Sequence, residues 1–307
     1  MKTLIIGSGA VGGYFGALLV RAGNDVTFLA RGEHLKAISR DGLTIKSIND
    51  SFNIKVNAIE RPDVNDRFDL LIFSVKGYDL NSACDSVKAV VGDKTTILSL
   101  LNGVESEEFL GNRFGIEKVV GGVAFIGSTI ESPGIILHTA AGFITFGEMD
   151  GRKSTRGKKI KEMFKRANIP CSISGDINRD IWSKMVWNVG FNAITAITNA
   201  LVSDVLTEEW TRLIVEQSME EAIKAAEKKG VILPDNIVSK TIAKTERAGK
   251  IKTSMLQDIE RKKRTEIEFI NGAIIRIGKE VGLYTPVNET LCGLVKLLEG
   301  GKRGSKT

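Results

Sequence analysis

The sequence is poor in cysteine, histidine and proline, and each shortage excludes a class of protein. Its 307 residues include three cysteines, two histidines and five prolines. Cys84, Cys171 and Cys292 are far apart, so they form neither a disulfide framework nor a zinc site of the Cys/His type. With only His34 and His138 as further ligands, we expect no metal site. Two histidines also leave little scope for a Ser-His-Asp triad, so we expect a proton donor other than histidine.

Long hydrophobic runs are missing as well. No stretch of about 18 apolar residues occurs, which excludes a transmembrane helix. The apolar run near the N-terminus stops at Gly7, too early for the hydrophobic region of a signal peptide. We therefore expect a cytoplasmic protein that has no membrane partner.

The charge balance is basic. Lysine and arginine number 43 against 37 acidic residues, which gives a net charge of +6 and a pI near 9.1. Such an excess suggests a nucleic-acid partner, but no recognition motif for DNA or RNA accompanies it. We expect no nucleic-acid partner, and we expect part of the positive charge to attract small anions.

The first half of the chain reads as an α/β domain. Short runs rich in Val, Ile, Leu and Phe alternate with helical patterns, which indicates a parallel sheet covered on both faces. The predicted strands are Thr3–Ile6, Asp25–Ala30, Leu70–Val75, Thr96–Leu100, Val119–Phe125 and Ser172–Ser174, and the predicted helices are Gly13–Ala22, His34–Arg40, Leu80–Val90, Ser106–Phe114 and Arg156–Ala167. Ile135–His138 and Phe143–Phe146 are predicted as a hairpin, which would make the sheet mixed at that edge.

After Gly175 the pattern becomes helical, and Asp176 can cap the first helix. The predicted helices are Ile177–Thr198, Glu208–Lys229, Asp235–Lys244, Met255–Val281 and Glu289–Leu298. The sequence thus predicts a Rossmann-type α/β domain over residues 1–175 and an all-α domain over residues 176–307. The basic, glycine-rich tail from Gly300 to Thr307 is predicted to be frayed.

A glycine-rich turn follows the first predicted strand and opens the first helix. It reads Gly7-Ser8-Gly9-Ala10-Val11-Gly12 and fits the dinucleotide-binding fingerprint. The first glycine permits the tight turn, the second lets a pyrophosphate approach, and the third lets helix and strand pack closely. The alternative is a glycine turn that serves the fold alone.

The end of the second predicted strand indicates which dinucleotide binds. NAD-binding proteins carry an acidic residue there for the ribose 2′-hydroxyl, but this chain reads Ala30-Arg31-Gly32. Arg31 can bind a 2′-phosphate, which favours NADP over NAD. The alternative is a surface arginine at a strand end.

Polar side chains form a stripe on the helix predicted from Ile177 to Thr198. At about 100° per residue, the members fall within roughly 80° of one another; they are Lys184, Asn188, Asn192, Thr195 and Asn199. Asparagine is a poor helix former, so the stripe predicts the lining of a polar cleft. The alternative is that the asparagines bind neighbouring backbone.

One acid interrupts the apolar face of the helix predicted over Met255–Val281. By the same geometry Glu266 falls among Ile259, Ile270 and Ile277. A buried carboxylate needs a charged or hydrogen-bonding partner, so Glu266 belongs either to a functional site or to a structural salt bridge.

Three further polar residues stand at element ends. Ser254 opens a capping-box pattern that ends at Gln257. Lys76 and Asn102 each follow an apolar strand, where open α/β sheets bind their ligands. The alternatives are a solvent-exposed lysine and an Asn-Gly turn.

In combination these residues resemble the ketopantoate reductase (2-dehydropantoate 2-reductase) family. The segments that carry the resemblance are Gly7–Gly12, Ala30-Arg31-Gly32, Ser74-Val-Lys76, Leu101-Asn102-Gly103, Lys184-Met-Val-Trp-Asn188, Asn192, Ser254–Asp258 and Thr265–Gly272. The resemblance implies NADPH-dependent reduction of 2-dehydropantoate to (R)-pantoate on the route to pantothenate and coenzyme A. It also implies a C-terminal domain like that of 6-phosphogluconate dehydrogenase.

The resemblance further implies roles for single residues. Lys184 matches the general acid of the family, and Glu266 matches a catalytic carboxylate that binds substrate. Lys76 and Asn102 match positions near the nicotinamide, and Asn102 also faces the substrate. The remaining substrate-binding positions are Asn188, Asn192, Asn199 and Ser254, and the cofactor-binding positions are Gly7 to Gly12 and Arg31.

Two alternatives stay open. The first is a related NADP-dependent reductase of another 2-keto acid or of a β-hydroxy acid. The second is an NADP-binding sensor without enzymatic activity, which would have no need for the lysine-asparagine stripe. The apolar helix faces are compatible with a monomer or with a homodimer.

Overall fold

Residues 1–301 are described by a computed structural model of the chain, and in this range they form ten β-strands and twelve α-helices. Two compact units result. The N-terminal unit comprises Met1–Leu101 and Ser106–Asp180, and the helical unit comprises Asn102–Glu105 and, of the described residues, 181–301. The predicted division at residue 175 lies five residues before Asp180 in sequence, and the short segment Asn102–Glu105 groups with the helices.

All ten strands join one sheet in the N-terminal unit. They are β1 (Thr3–Ile6), β2 (Val26–Leu29), β3 (Leu43–Ser47), β4 (Phe52–Ile54), β5 (Asn57–Ile59), β6 (Leu70–Phe73), β7 (Thr96–Ser99), β8 (Val119–Ser132), β9 (Ile135–Glu148) and β10 (Cys171–Ile173). Their order is β4-β3-β9-β8-β7-β6-β1-β2-β5, and β10 pairs with β9 outside this path.

The Rossmann prediction is confirmed by six of these strands. β5-β2-β1-β6-β7-β8 are all parallel, and in chain order they follow the 3-2-1-4-5-6 arrangement of dinucleotide-binding sheets. Every residue of β1, β6 and β7 is buried. Strands covered on both faces therefore account for the continuous apolar runs of the sequence.

The predicted hairpin is wrong, although the mixed edge is confirmed. Ile135–His138 and Phe143–Phe146 are both parts of β9, which runs antiparallel to β8. Between them Ala141 and Gly142 adopt positive φ angles of 56° and 112°, next to shifts in the β8–β9 register. A bulge inside a long strand thus has the sequence features of a turn.

Helices cover both faces of the sheet. They are α1 (Ala10–Arg21), α2 (Gly32–Asp41), α3 (Leu80–Val87), α4 (Ser106–Phe114) and α5 (Thr155–Arg166). One apolar cluster contains Phe15, Phe28 and Phe164, and a second contains Phe73 and Leu110. The sheet therefore lies between two hydrophobic layers, as a doubly wound fold requires.

The helical unit confirms the all-α prediction. Its helices are α6 (Ile177–Thr198), α7 (Val202–Thr207), α8 (Glu209–Lys228), α9 (Ile237–Ala248), α10 (Ser254–Glu260), α11 (Asn271–Val281) and α12 (Pro286–Gly301). Asp176 caps α6, because its Oδ1 accepts from the Arg179 amide at 3.1 Å. Phe191, Met219 and Ile274 lie in one apolar core of this unit. No helix within residues 1–301 is long and apolar enough to span a membrane.

Two predictions about the helices of the C-terminal region need correction. The helix over Met255–Val281 is broken into α10, a 3₁₀ turn at Ile267–Phe269 and α11. The break begins with four consecutive cations directly after α10 ends at Glu260, and one of them, Lys262, has a left-handed φ of 55°. Thr253 rather than Ser254 caps α10, since its hydroxyl accepts from the Leu256 amide.

The predicted frayed tail is corrected in part. Gly300 and Gly301 belong to α12, and the rest of the tail, residues 302–307, lies outside the described residues.

One partly buried ion pair joins the end of β9 to α5. Glu148 at the end of β9 accepts two hydrogen bonds from Arg156 of α5, one of them from Nε at 2.7 Å. The side chains of Glu148 and Arg156 are 5% and 24% exposed. Burial raises the pKa of the Glu148 carboxyl, but the hydrogen bonds and charge of Arg156, with a hydrogen bond from Ser154, outweigh burial and lower the pKa below its usual value.

We predict that Arg156→Ala lowers the free energy of unfolding by about 3 kcal/mol at neutral pH, because it leaves a buried carboxylate without its partner. Since the folded pKa of Glu148 lies below the unfolded one, this stabilisation is complete above the unfolded pKa and is lost as the pH falls through the folded pKa. Urea unfolding at a series of pH values measures the difference. Arg40→Ala is the control, because its pair with Asp41 is exposed. An equal loss at neutral and acid pH, or an equal loss in the control, would contradict the prediction.

Candidate functional site

The glycine-rich turn has space for a side chain at one of its three fingerprint positions. Gly7 has a φ of 94°, and a Cβ there would lie 2.8 Å from the Val75 nitrogen. A Cβ on Gly12 would lie 2.1 Å from the Ser74 hydroxyl and 2.3 Å from the Gly7 carbonyl oxygen. These two glycines are therefore required by the turn and by the packing of α1, as their spacing predicts.

Gly9 is different, because a Cβ there would meet nothing within 4 Å. It stands at the N-cap of the twelve-residue α1, with no side chain capping the helix. Ala10 and Val11 follow as its first residues, and the amides of a first helical turn have no acceptor inside the helix. Open space beside these amides, together with the positive end of the helix dipole, suits a dinucleotide pyrophosphate.

Arg31 lies two residues beyond the end of β2, at the N-cap of α2. Its side chain is 72% exposed, and its guanidinium group donates to Asp79 Oδ1 at 2.9 Å. Asp79 ends the short 3₁₀ turn that begins after Lys76, which itself follows β6. The carboxyl ends of β2 and β6 thus bring Arg31 and Asp79 together, and the sequence analysis missed Asp79.

In the helical unit the side chain of Asn102 joins two of the predicted site residues. Lys184 Nζ donates to Asn102 Oδ1 at 2.8 Å, and Asn102 Nδ2 donates to Glu266 Oε2 at 3.3 Å. Glu266 is 4% exposed, and Lys184 and Asn102 are half-buried. We call this arrangement the Asn102 bridge. It places an ammonium group and a carboxylate on opposite ends of one amide.

Glu266 is held at its position by the backbone that follows it. It precedes the 3₁₀ turn, and its carbonyl oxygen accepts from the amides of Phe269 and Ile270 at 2.9 and 3.1 Å. The prediction of a helical position was wrong for Glu266. The prediction that this acid is buried with a polar partner is confirmed by the hydrogen bond from Asn102.

Two asparagines one turn apart extend the site along α6. Asn192 Nδ2 donates to Asn188 Oδ1 at 3.3 Å, and the two residues are 1% and 5% exposed. No donor within residues 1–301 lies in hydrogen-bonding range of Asn192 Oδ1. Leaving a buried acceptor unpaired costs about 1–3 kcal/mol, so this oxygen is suited to a hydrogen-bond donor on a ligand.

The far end of the stripe departs from the prediction. Thr195 Oγ1 lies 2.7 Å from Thr253 Oγ1, so α6 contacts Thr253. Ser254, the next residue and the predicted site residue, is exposed. Asn199 lies beyond the end of α6, exposed and with a left-handed φ of 55°. Asn199 is therefore not a member of the stripe, because the helix ends at Thr198.

Two other reactive side chains, Cys84 and His138, are buried inside the fold. Burial raises the pKa of the Cys84 thiol to about 11. His138 is fully buried; its Nδ1 lies 2.8 Å from Ser47 Oγ, and its Nε2 faces two backbone carbonyl oxygens. Within residues 1–301, no group of three or more His, Cys, Asp or Glu side chains is placed to hold a metal ion.

Two family models match this chain. Ketopantoate reductase PanE/ApbA matches residues 3–151, and Ketopantoate reductase PanE/ApbA C terminal matches residues 176–299. The chain belongs to the ketopantoate reductase PanE/ApbA family. Family membership makes it an oxidoreductase and, together with the glycine fingerprint, supports a nicotinamide cofactor.

Relatives and solved structures similar to this chain include ketopantoate reductases and a dehydrogenase of another hydroxy acid. The 2-dehydropantoate 2-reductase of Archaeoglobus fulgidus is 34% identical over 98% of both chains. The crystal structure of a ketopantoate reductase from Ralstonia eutropha aligns with a TM-score of 0.91 at 31% identity, covering 99% of this chain and 100% of that one. A ternary structure of D-mandelate dehydrogenase with NADH and anilino(oxo)acetate also aligns at 0.91, with 26% identity over 98% and 99% of the two chains.

We predict that two glycine substitutions in the fingerprint affect different properties, one the affinity for the dinucleotide and the other the stability. Gly9→Ala should leave the unfolding midpoint unchanged and weaken dinucleotide binding at least about tenfold, because the new methyl group enters the open space beside the helix terminus. Gly12→Ala should cost about 1–3 kcal/mol of stability, because its methyl group clashes with Ser74 and Gly7. Urea unfolding and calorimetric titration with NADPH measure the two effects. Unchanged NADPH affinity in Gly9→Ala would contradict the assignment.

Proposed function

We propose that this protein reduces 2-dehydropantoate to (R)-pantoate with NADPH, a step toward pantothenate and coenzyme A. The observation that carries the proposal is the Asn102 bridge, which holds the Lys184 ammonium group at a fixed position beside the buried Glu266. A cofactor-binding sensor would have no need for that arrangement. Membership in the ketopantoate reductase family supports the same reaction.

Lys184 is the proton donor in this proposal. A nicotinamide cofactor, held by the Gly7–Gly12 turn and Arg31, would supply the hydride for the 2-keto carbon, and negative charge would then develop on the keto oxygen. The Lys184 ammonium group first polarises the carbonyl and then transfers a proton to the alkoxide, which a well-placed acid accelerates by about 10²–10⁴-fold. The hydrogen bond to Asn102 Oδ1 fixes the direction of the ammonium group, so less reorganisation is needed at the moment of reaction.

Glu266 binds and orients the substrate in this proposal. One carboxylate oxygen accepts from Asn102, so Glu266 orients the amide that faces the substrate. Because Glu266 is buried, such a hydrogen bond forms away from bulk water, where it is stronger.

The unpaired oxygen of Asn192 favours a substrate that carries a hydroxyl group. 2-Dehydropantoate offers its C4 hydroxyl as a donor, whereas an aromatic keto acid such as phenylglyoxylate has no hydroxyl to offer. A site built to hydrogen-bond a substrate hydroxyl discriminates strongly against an analogue that lacks it, because the protein group is then left unpaired. Asn192 is thus the residue that supports 2-dehydropantoate over the keto acid of a mandelate dehydrogenase.

Arg31 supports NADPH as the cofactor. Its guanidinium group is exposed, and Ala30 and Gly32 on either side supply no carboxylate for a ribose 2′-hydroxyl. In binding a 2′-phosphate, Arg31 would exchange Asp79 for a more highly charged acceptor. Lys76 and the Gly7–Gly12 turn complete the proposed cofactor contacts.

A second candidate is reduction of another 2-keto acid with NADH. The alignment with D-mandelate dehydrogenase, whose structure contains NADH, favours it. Lys184 would keep the same role in that reaction, so the two candidates differ in the ligand groups that meet Asn192 and Arg31.

The test is steady-state oxidation of NADPH with 2-dehydropantoate, with trimethylpyruvate (the same acid without its C4 hydroxyl) and with phenylglyoxylate. We expect kcat/KM to be at least about 100-fold higher for 2-dehydropantoate than for trimethylpyruvate. Asn192→Ala should narrow that ratio, because it removes the acceptor, and NADH should serve poorly in place of NADPH.

Each contrary result would contradict a different part of the proposal. Equal use of NADH would contradict the role of Arg31, and a preference for phenylglyoxylate would favour the second candidate. No oxidation with any of the three acids would support a sensor.

A further inference from the structure

An ion pair next to the Asn102 bridge holds the segment that carries Asn102. Glu105, three residues after Asn102, accepts from Arg276 through Nε at 3.2 Å and through a terminal nitrogen at 2.5 Å. That same terminal nitrogen donates to the backbone oxygen of Glu268 at 2.9 Å. Arg276 thus joins the segment after Asn102 to the turn that follows Glu266. We call the Glu105–Arg276 pair the clamp.

The backbone shows the same close contact. Gly103 has a φ of 104°, and a Cβ there would lie 2.7 Å from the carbonyl oxygen of Phe269. The segment therefore packs against the 3₁₀ turn without room for a side chain. One contact surface thus places both Asn102 and Glu266, with the clamp at its edge.

The clamp is too exposed to be important for overall stability. The side chains of Arg276 and Glu105 are 43% and 36% exposed. Ion pairs with that exposure contribute about 0–1 kcal/mol to folding. The guanidinium group nevertheless donates to both carboxylate oxygens. Such bidentate pairs have a narrow geometry, so they restrict the relative orientation of the two side chains. Its effect is therefore expected on the position of the segment and not on the fold.

We propose that Glu105 and Arg276 are positioning residues for catalysis. The clamp fixes the Asn102–Glu105 segment so that the Asn102 amide stays between Lys184 and Glu266. Without it, the amide has more freedom to turn, and its hydrogen bonds with Lys184 and Glu266 are broken for part of the time. This inference rests on the proposed function, because turnover is one of its two readouts.

The test compares Glu105→Gln with Glu246→Gln, its matched control. Glu246 forms a similarly exposed pair with Arg212 in the same unit, at 2.9 Å. We expect Glu105→Gln to lower kcat for 2-dehydropantoate about tenfold while the NADPH dissociation constant and the urea midpoint stay unchanged. Glu246→Gln should leave kcat unchanged.

A double-mutant cycle separates positioning from a general structural effect. If Glu105 acts through Asn102, Glu105→Gln should cause no further loss of kcat in an Asn102→Ala background. Losses that multiply independently, or an unchanged kcat in Glu105→Gln, would overturn the proposal.

Hydrogen–deuterium exchange gives a readout that needs no turnover. Glu105→Gln should accelerate exchange in the peptides that contain residues 102–105 and 266–270, and Glu246→Gln should not. If the wild-type protein reduces none of the keto acids while this acceleration is present, the proposed function fails and the clamp stands. Unchanged exchange in Glu105→Gln would refute the clamp whatever the activity.

Discussion

The candidate site in the helical unit is organised around one buried carboxylate. Glu266 is 4% exposed, and a carboxylate removed from water requires hydrogen-bond donors. Asn102 supplies one of them, and in doing so it directs its carbonyl oxygen to the Lys184 ammonium group. A buried acid thereby determines the orientation of an amide, and the amide determines the position of the proposed proton donor.

Most of the fold follows from periodicity alone. β1 and α4 have the bounds that the sequence predicts, and so does α6, because each is a complete apolar or amphipathic run. β3, β4 and β5 were missed because they are short and partly exposed, without continuous apolar runs. The break between α10 and α11 was missed because the apolar spacing continues across it.

The sequence predicts which residues belong to the site, but it does not predict most of the contacts between them. Helical spacing grouped Lys184, Asn188 and Asn192 correctly, since all three lie on α6. Spacing could not show that Asn102, 82 residues before Lys184, is bonded to it, because that contact depends on tertiary packing. Asn199 was included because helical geometry was extended one residue past the end of the helix.

The most direct test of the account is replacement of the Lys184 ammonium group. Lys184→Ala should lower kcat with 2-dehydropantoate by about 10²–10⁴-fold and leave the NADPH dissociation constant unchanged. Added ethylamine should restore part of the rate in Lys184→Ala, because it returns an ammonium group to the vacated space, and it should not accelerate the wild-type protein. Near-normal turnover of Lys184→Ala without added amine would contradict the assignment of Lys184 as the proton donor.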